Sequence, residues 1–96
     1  MDRKTLLDQK RAEILSLAAR YDVRRIRVFG SVARDQADAA SDIDFLVDVG
    51  PEVSVLDLAG FLLDLEKLLG CEVDIVTEKG LRPRIRQRVL DEAVPL

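Results

Sequence analysis

The sequence predicts an α/β (α+β) domain: a small mixed β-sheet covered by helices in a two-layer arrangement. Three observations carry this. Apolar residues recur with helical spacing over 3–20 and 54–69, and short β-branched runs near 25–29, 43–49 and 72–76 alternate with them. The first two runs stop at Gly30 and at Gly50-Pro51. The 96 residues, 48% of them hydrophobic, suffice for one core and not for two, so residues 1–96 are expected to form a single domain.

In chain order, Leu7, Ile14, Leu17, Ala18 and Tyr21 give residues 3–20 one buried helical stripe, with Lys4, Asp8, Lys10, Arg11 and Glu13 elsewhere on the wheel. Asp22 is read as the break, Arg24-Arg25 as the lead-in and Ile26 to Phe29 as the first strand. Residues 31–40, rich in Ala and short polar side chains, are read as one turn of helix followed by a loop. On the second strand Ile43, Phe45, Val47 and Val49 share one face, while Asp42, Asp44, Leu46 and Asp48 share the other.

Residues 54–69 form the strongest helix, with Ser54 as N-cap, Gly70 as the left-handed terminator and an apolar band of Leu58, Phe61, Leu62, Leu65, Leu68 and Leu69. That band is broader than one sheet face needs, so part of it is a candidate partner surface. A third strand runs through Glu72 to Val76, with Cys71 expected to be buried at its start. Pro83 suits the first turn of a last helix whose Ile85, Val89 and Leu90 are expected to face the core. Residues 93–96 read as an edge strand, because Pro95 cannot donate to a central ladder.

Composition excludes several chemistries. With no His, Ser-His-Asp and Cys-His catalysis and imidazole zinc sites are impossible. The single Cys forms no internal disulfide and has no base beside it, which leaves a reduced structural thiol as the expectation. A net charge of −3 argues against nucleic acid as a direct ligand through bulk electrostatics. No apolar stretch approaches the roughly 18 residues of a membrane span. The opening Met1-Asp2-Arg3-Lys4 leads into a charged amphipathic segment, so a cytoplasmic location is expected.

The stretch that carries chemistry runs from Gly30-Ser31 to Ser41-Asp42-Ile43-Asp44. Asp42 and Asp44 project to one side of a strand, where two like charges repel unless a divalent cation lies between them. Mg²⁺ takes hard oxygen ligands and is commonly held by one or two carboxylates plus substrate phosphates. Gly30-Ser31 before a helical turn offers backbone N–H groups and a hydroxyl to a phosphate, although Ser31 as a simple N-cap explains the same residues. Ser41 is read as capping or bonding Asp42. Asp74 is a charge inside an apolar run, positioned as a third carboxylate able to take a proton from an attacking hydroxyl. The basic residues Lys79, Arg82, Arg84, Arg86 and Arg88 are candidates for nucleotide phosphates or an acidic partner, set against the plainer reading of a solvated helix face.

Gly-Ser, ten intervening residues and then Asp-x-Asp, followed by Val73-Asp74-Ile75-Val76, resembles the DNA polymerase beta-type nucleotidyltransferase superfamily. Gly30-Ser31-Val32-Ala33-Arg34 resembles in particular its minimal nucleotidyltransferases. Asp35 departs from the pattern, since many relatives carry Gly after the Arg. The resemblance implies a nucleotidyltransferase fold and transfer of a nucleoside monophosphate from ATP or another NTP to a hydroxyl. By the same resemblance Gly30, Ser31 and Arg34 bind the nucleotide, and Asp42, Asp44 and Asp74 are both catalytic and ligands to two Mg²⁺ ions. It further implies an antitoxin-like protein adenylyltransferase acting on a helical HEPN-type toxin, in a homo- or hetero-oligomer. The competing class is a binding module that neutralises or scaffolds a partner without turnover.

Overall fold

The computed structural model describes residues 1–38 and 40–96. The elements follow in the order α1 (Arg3–Arg20), β1 (Val23–Phe29), β2 (Ile43–Val49), α2 (Val55–Leu69), β3 (Val73–Thr77), α3 (Pro83–Glu92) and β4 (Val94–Pro95). The sheet order is β3-β2-β1-β4, with β2–β3 parallel and the β1–β2 and β1–β4 pairs antiparallel, so the sheet is mixed. The β2–α2–β3 crossover accounts for the one parallel pair, since parallel neighbours need a connection long enough to return the chain to its starting edge.

The helix boundaries follow from capping. Asp2 accepts from the Thr5 N–H at 2.8 Å and starts α1. At α2, Ser54 and Asp57 form a reciprocal capping box, and Gly70 ends the helix at φ 68°. β1 begins three residues before the expected Ile26. Val23 pairs with Val49 and the strand then absorbs an irregularity around Arg25, whose φ is 47°. The sequence conceals this because Arg24 and Arg25 are charged, yet both side chains turn to solvent and pair with Asp22 and Asp48.

Alternation along β2 divides the interior. Ile43, Phe45 and Val47 face α1 and α2 and meet Leu7, Ile14, Leu17, Phe61, Leu65 and Leu69. Leu46 points the other way and packs with Leu81 and Val89, so α3 and the turn before it cover part of the opposite face. On that face the buried Arg27 guanidinium reaches Asp48 at 3.2 Å and Glu78 at 3.4 Å, and Arg86 of α3 donates to the Glu78 backbone carbonyl at 2.7 Å and to its carboxylate at 3.0 Å. β1, β2, the β3–α3 turn and α3 are thereby tied at one point.

Three expectations are corrected by these contacts. Ile85 is 38% exposed, because α3 meets the sheet through Val89 with Leu81 and leaves its first turn at the margin. Cys71 is half-buried and lies ahead of β3 rather than inside it. Tyr21 is half-buried too, its ring tilted against Phe61 at 5.6 Å while its hydroxyl donates to Asp64 at 2.5 Å. No helix among the described residues is long and apolar enough to cross a membrane.

Leu46 is fully buried between two carboxylate-bearing positions, so its truncation tests how α3 is held. Leu46→Ala is expected to cost about 3 kcal/mol and to lower the melting temperature by about 15 °C. A drop of under about 2 °C by calorimetry would mean that this face is not packed.

Candidate active site

Register brings the candidate carboxylates together. In the parallel β2–β3 pair, Ile43 opposes Val73 and Phe45 opposes Ile75 on the core face, which puts Asp44 directly opposite Asp74 on the other face. A slip of one residue would bury the acids and expose the apolar set, so the hydrophobic pattern itself fixes this juxtaposition. Asp42 stands just ahead of β2, where the Ile43 N–H already bonds the Glu72 carbonyl at 3.2 Å. Asp42 and Asp74 are exposed and Asp44 is half-buried. Partial burial, and then the charges of Asp74 and Asp42, push the Asp44 carboxyl above its ordinary value of 3.8, while Arg34 acts in the opposite sense.

Gly30 lies against this carboxylate. A β-carbon at Gly30 would stand 2.2 Å from Asp44 Oδ2, and its φ of +75° is in the left-handed region. Any side chain here would displace Asp44, so the glycine serves both the bend and the close approach. The following turn closes through Arg34 N to Gly30 O at 3.1 Å and Gln36 N to Ser31 O at 2.8 Å. It is a single turn, too short to carry a helix dipole. The N–H groups of Ser31, Val32 and Ala33 find no acceptor among the described residues, leaving three donors at the end of β1 beside Asp44. Asp35 completes the turn at φ 59°. Asp tolerates this left-handed conformation better than most residues.

Arg34 is held from two sides. Its Nε donates to Gln36 Oε1 at 3.0 Å, and its Nη1 pairs with Glu92 at the end of α3. Of the basic residues near the C-terminus, Arg86 is committed to Glu78, whereas Arg88 lines a cleft with Arg34, Asp91 and Glu92. Glu92 and Gln36 escaped the sequence reading. The stripe Ile85, Arg88, Glu92, spaced by three and four, was the available signal for Glu92, and it was masked by the expectation that Ile85 faces the core.

Ser41 does not contact Asp42 as expected. Its hydroxyl bonds Asp38, and Asp38 also accepts from the Ala40 N–H, so the loop is folded on its own polar groups. The Ser41 carbonyl accepts from Arg3 Nε at 2.8 Å, which ties the loop to the start of α1. Ala39 lies outside the described residues. Burial raises the Cys71 thiol's pKa, which disfavours the thiolate and agrees with a structural cysteine.

Among the described residues, no three carboxylate or thiol side chains converge into a ready-made metal cage. The donors nonetheless fit a hard divalent cation. They are all oxygens, Asp44 is disfavoured as an anion by burial and then by the charges of Asp74 and Asp42, and Mg²⁺ characteristically uses one or two carboxylates and takes its remaining ligands from water and phosphates.

Comparison with known proteins identifies the family to which this small mixed sheet, with its paired acids beside a Gly-Ser turn, belongs. Residues 9–96 match the nucleotidyltransferase domain family. The chain belongs to that family and is a nucleotidyltransferase. It is 38% identical over 88 residues, 92% of this chain and 95% of the relative, to a Methanocaldococcus jannaschii protein provisionally named protein adenylyltransferase MJ0435. It is 42% identical over 78 residues, 81% of this chain and 79% of the relative, to the protein adenylyltransferase MntA of Thermococcus cleftensis. A solved structure provisionally described as a minimal nucleotidyltransferase superposes with a TM-score of 0.88 at 51% identity, covering 100% of this chain and 97% of the other. A toxin–antitoxin crystal structure with AMP-PNP shares the fold at 21% identity, with a TM-score of 0.75 and coverage of 88% of this chain and 69% of that one.

Two outcomes follow from the geometry. The folded state disfavours ionised Asp44, so its contribution to stability is present below 3.8 and is lost as pH rises through the raised folded value. The melting temperature of Asp44→Asn minus that of the wild type, both in chelator, should therefore grow as pH climbs through the carboxylate range. A difference that stays flat across that range would contradict the electrostatic account. At the turn, Asp35→Gly should leave the urea midpoint almost unchanged, because relief at φ 59° offsets the extra chain entropy, whereas Asp35→Val should cost about 1–2 kcal/mol. Equal costs for the two variants would mean that the left-handed turn is not maintained in solution.

Proposed function

We propose that the protein transfers AMP from ATP to a hydroxyl on a partner protein, a helical HEPN-type toxin, and thereby acts as the antitoxin of the pair in the cytoplasm. The observation that carries this reading is the opposition of Asp44 and Asp74 across two parallel strands, with Asp42 at the mouth and the Gly30 turn beside them. The protein adenylyltransferase names of the relatives support the protein acceptor, and the toxin–antitoxin neighbours support the pairing.

In this scheme the N–H groups of Ser31 to Ala33 and the Arg34 guanidinium hold the triphosphate. Asp42 and Asp44, with Asp74, would hold Mg²⁺, two ions in the fullest arrangement, which would supply charge stabilisation to the phosphoryl oxygens. Asp74, exposed at the sheet margin, accepts the proton of the acceptor hydroxyl as its oxygen bonds the α-phosphorus. The bond from that phosphorus to the bridging oxygen breaks, and pyrophosphate leaves.

A second reading, neutralisation by binding alone, draws support from the outer side of α2, where Val55, Leu56 and Leu63 are 84%, 83% and 58% exposed. Asp74→Ala separates the two. With α-labelled ATP, Mg²⁺ and the product of the neighbouring gene, the variant is expected to lose about 100-fold or more in transfer while still binding its partner. Loss of transfer together with loss of toxin neutralisation supports the enzyme. Neutralisation that survives without transfer favours binding, and undiminished transfer removes Asp74 from the mechanism.

A further inference from the structure

The last turn of α3 lies beside the carboxylates, not apart from them. Glu92 pairs with Arg34, and both side chains belong to the field felt by Asp44. Arg34, Arg88, Asp91 and Glu92 line one open cleft of about 580 Å³.

The hydrogen bonding of Arg34 is specific in its direction. Nε is engaged by Gln36 from its own turn and Nη1 by Glu92 from α3, so Nη2 is the remaining donor group of the fork. The Glu92 side chain is only 16% exposed, against 50% for Arg34, which identifies the carboxylate as the fixed member and the guanidinium as the one that faces the cleft. α3 can impose that position because it is anchored. Val89 is buried against Leu46 and Leu81, and Arg86 is bonded twice to Glu78. Arg88 lies one residue before Val89 on the exposed side of the helix, and no carboxylate among the described residues forms an ion pair with it. Two guanidiniums thus meet at one cleft, one oriented by a half-buried acid and the other without a salt-bridge partner among the described residues.

We infer that the end of α3 completes the nucleotide site: Glu92 is a positioning residue that sets Arg34, and Arg88 supplies a second guanidinium to the same triphosphate. Arg is suited to this because its planar fork gives a phosphate two parallel donors. The inference rests on the nucleotide-transfer reading and extends it to residues outside the Gly-Ser and Asp-x-Asp segments. It also explains why a short helix with an uncapped N-terminus and one buried apolar residue is tied down by an ion-pair network. Displacement of α3 would carry Glu92 and Arg88 away from Arg34.

The test is direct binding of Mg²⁺–ATP, read by calorimetry on the full chain and independent of turnover. Arg88→Ala, a change at an exposed position, is expected to raise Kd by about tenfold with the melting temperature unchanged. Glu92→Ala is expected to weaken binding severalfold, and Glu92→Gln, whose amide oxygen still accepts from Nη1, to fall between it and the wild type. Tighter binding by both Glu92 variants would show that the carboxylate competes with phosphate, and would overturn the positioning role. Binding by Arg88→Ala equal to that of the wild type would remove Arg88 from the site while leaving the nucleotide reading intact. Failure of the wild type to bind Mg²⁺–ATP would overturn that reading and the inference with it.

Discussion

Two carboxylates, Asp44 and Asp74, are held opposite each other on one face of two adjacent parallel strands, with Asp42 just ahead of the first, and the rest of the structure is arranged around that constraint. Asp44 and Asp74 are opposed because Ile43, Phe45, Val73 and Ile75 must all face the core, so the energy that sets the acids side by side is hydrophobic rather than electrostatic. The repulsion is local and modest beside the burial that enforces it. What results is a site with a standing demand for positive charge, where burial first and then the charges of Asp74 and Asp42 push the Asp44 carboxyl up.

The surrounding parts answer that demand at different distances. Gly30 brings the backbone against the Asp44 carboxylate, and the turn after it leaves N–H donors beside the acids. Arg34 contributes a cation held by Gln36 and Glu92. Behind them Arg27, Asp48, Glu78 and Arg86 fasten α3 to the sheet. Half-buried ion pairs of this kind are weak evidence for stability, since desolvation and solvent screening offset much of their attraction. Their clearest consequence here is positional: they set where the end of α3, and with it Glu92 and Arg88, meets the turn that carries Arg34.

Much of this was legible in the sequence where a single physical rule decided the outcome. Helical periodicity and capping residues placed α1 and α2 to within a residue, and strand alternation put Asp42 and Asp44 on the face away from Phe45. Asp74 stood out as a charge inside an apolar run and Gly30-Ser31 as a turn between two strands, and the parallel register places Asp74 opposite Asp44. Competing forces hid the remainder. Arg24 and Arg25 obscured the start of β1 because ion pairs with Asp22 and Asp48 let charged residues occupy a strand. Ile85 was misplaced because periodicity marks an apolar stripe without saying how much sheet lies beneath a short helix. Glu92 was missed because its partner Arg34 is 58 residues away, and local pattern does not report such pairs.

The central claim is that this acidic face is a cation-dependent nucleotide site, and ligand-induced stabilisation of the free protein tests it most directly. A ligand that binds the folded state raises its stability in proportion to RT ln(1 + [L]/Kd). The melting temperature should rise by several degrees with ATP and Mg²⁺ together and hardly at all with ATP in excess chelator, because bare triphosphate adds negative charge to a face that already repels itself. An equal rise with and without Mg²⁺ would contradict the account.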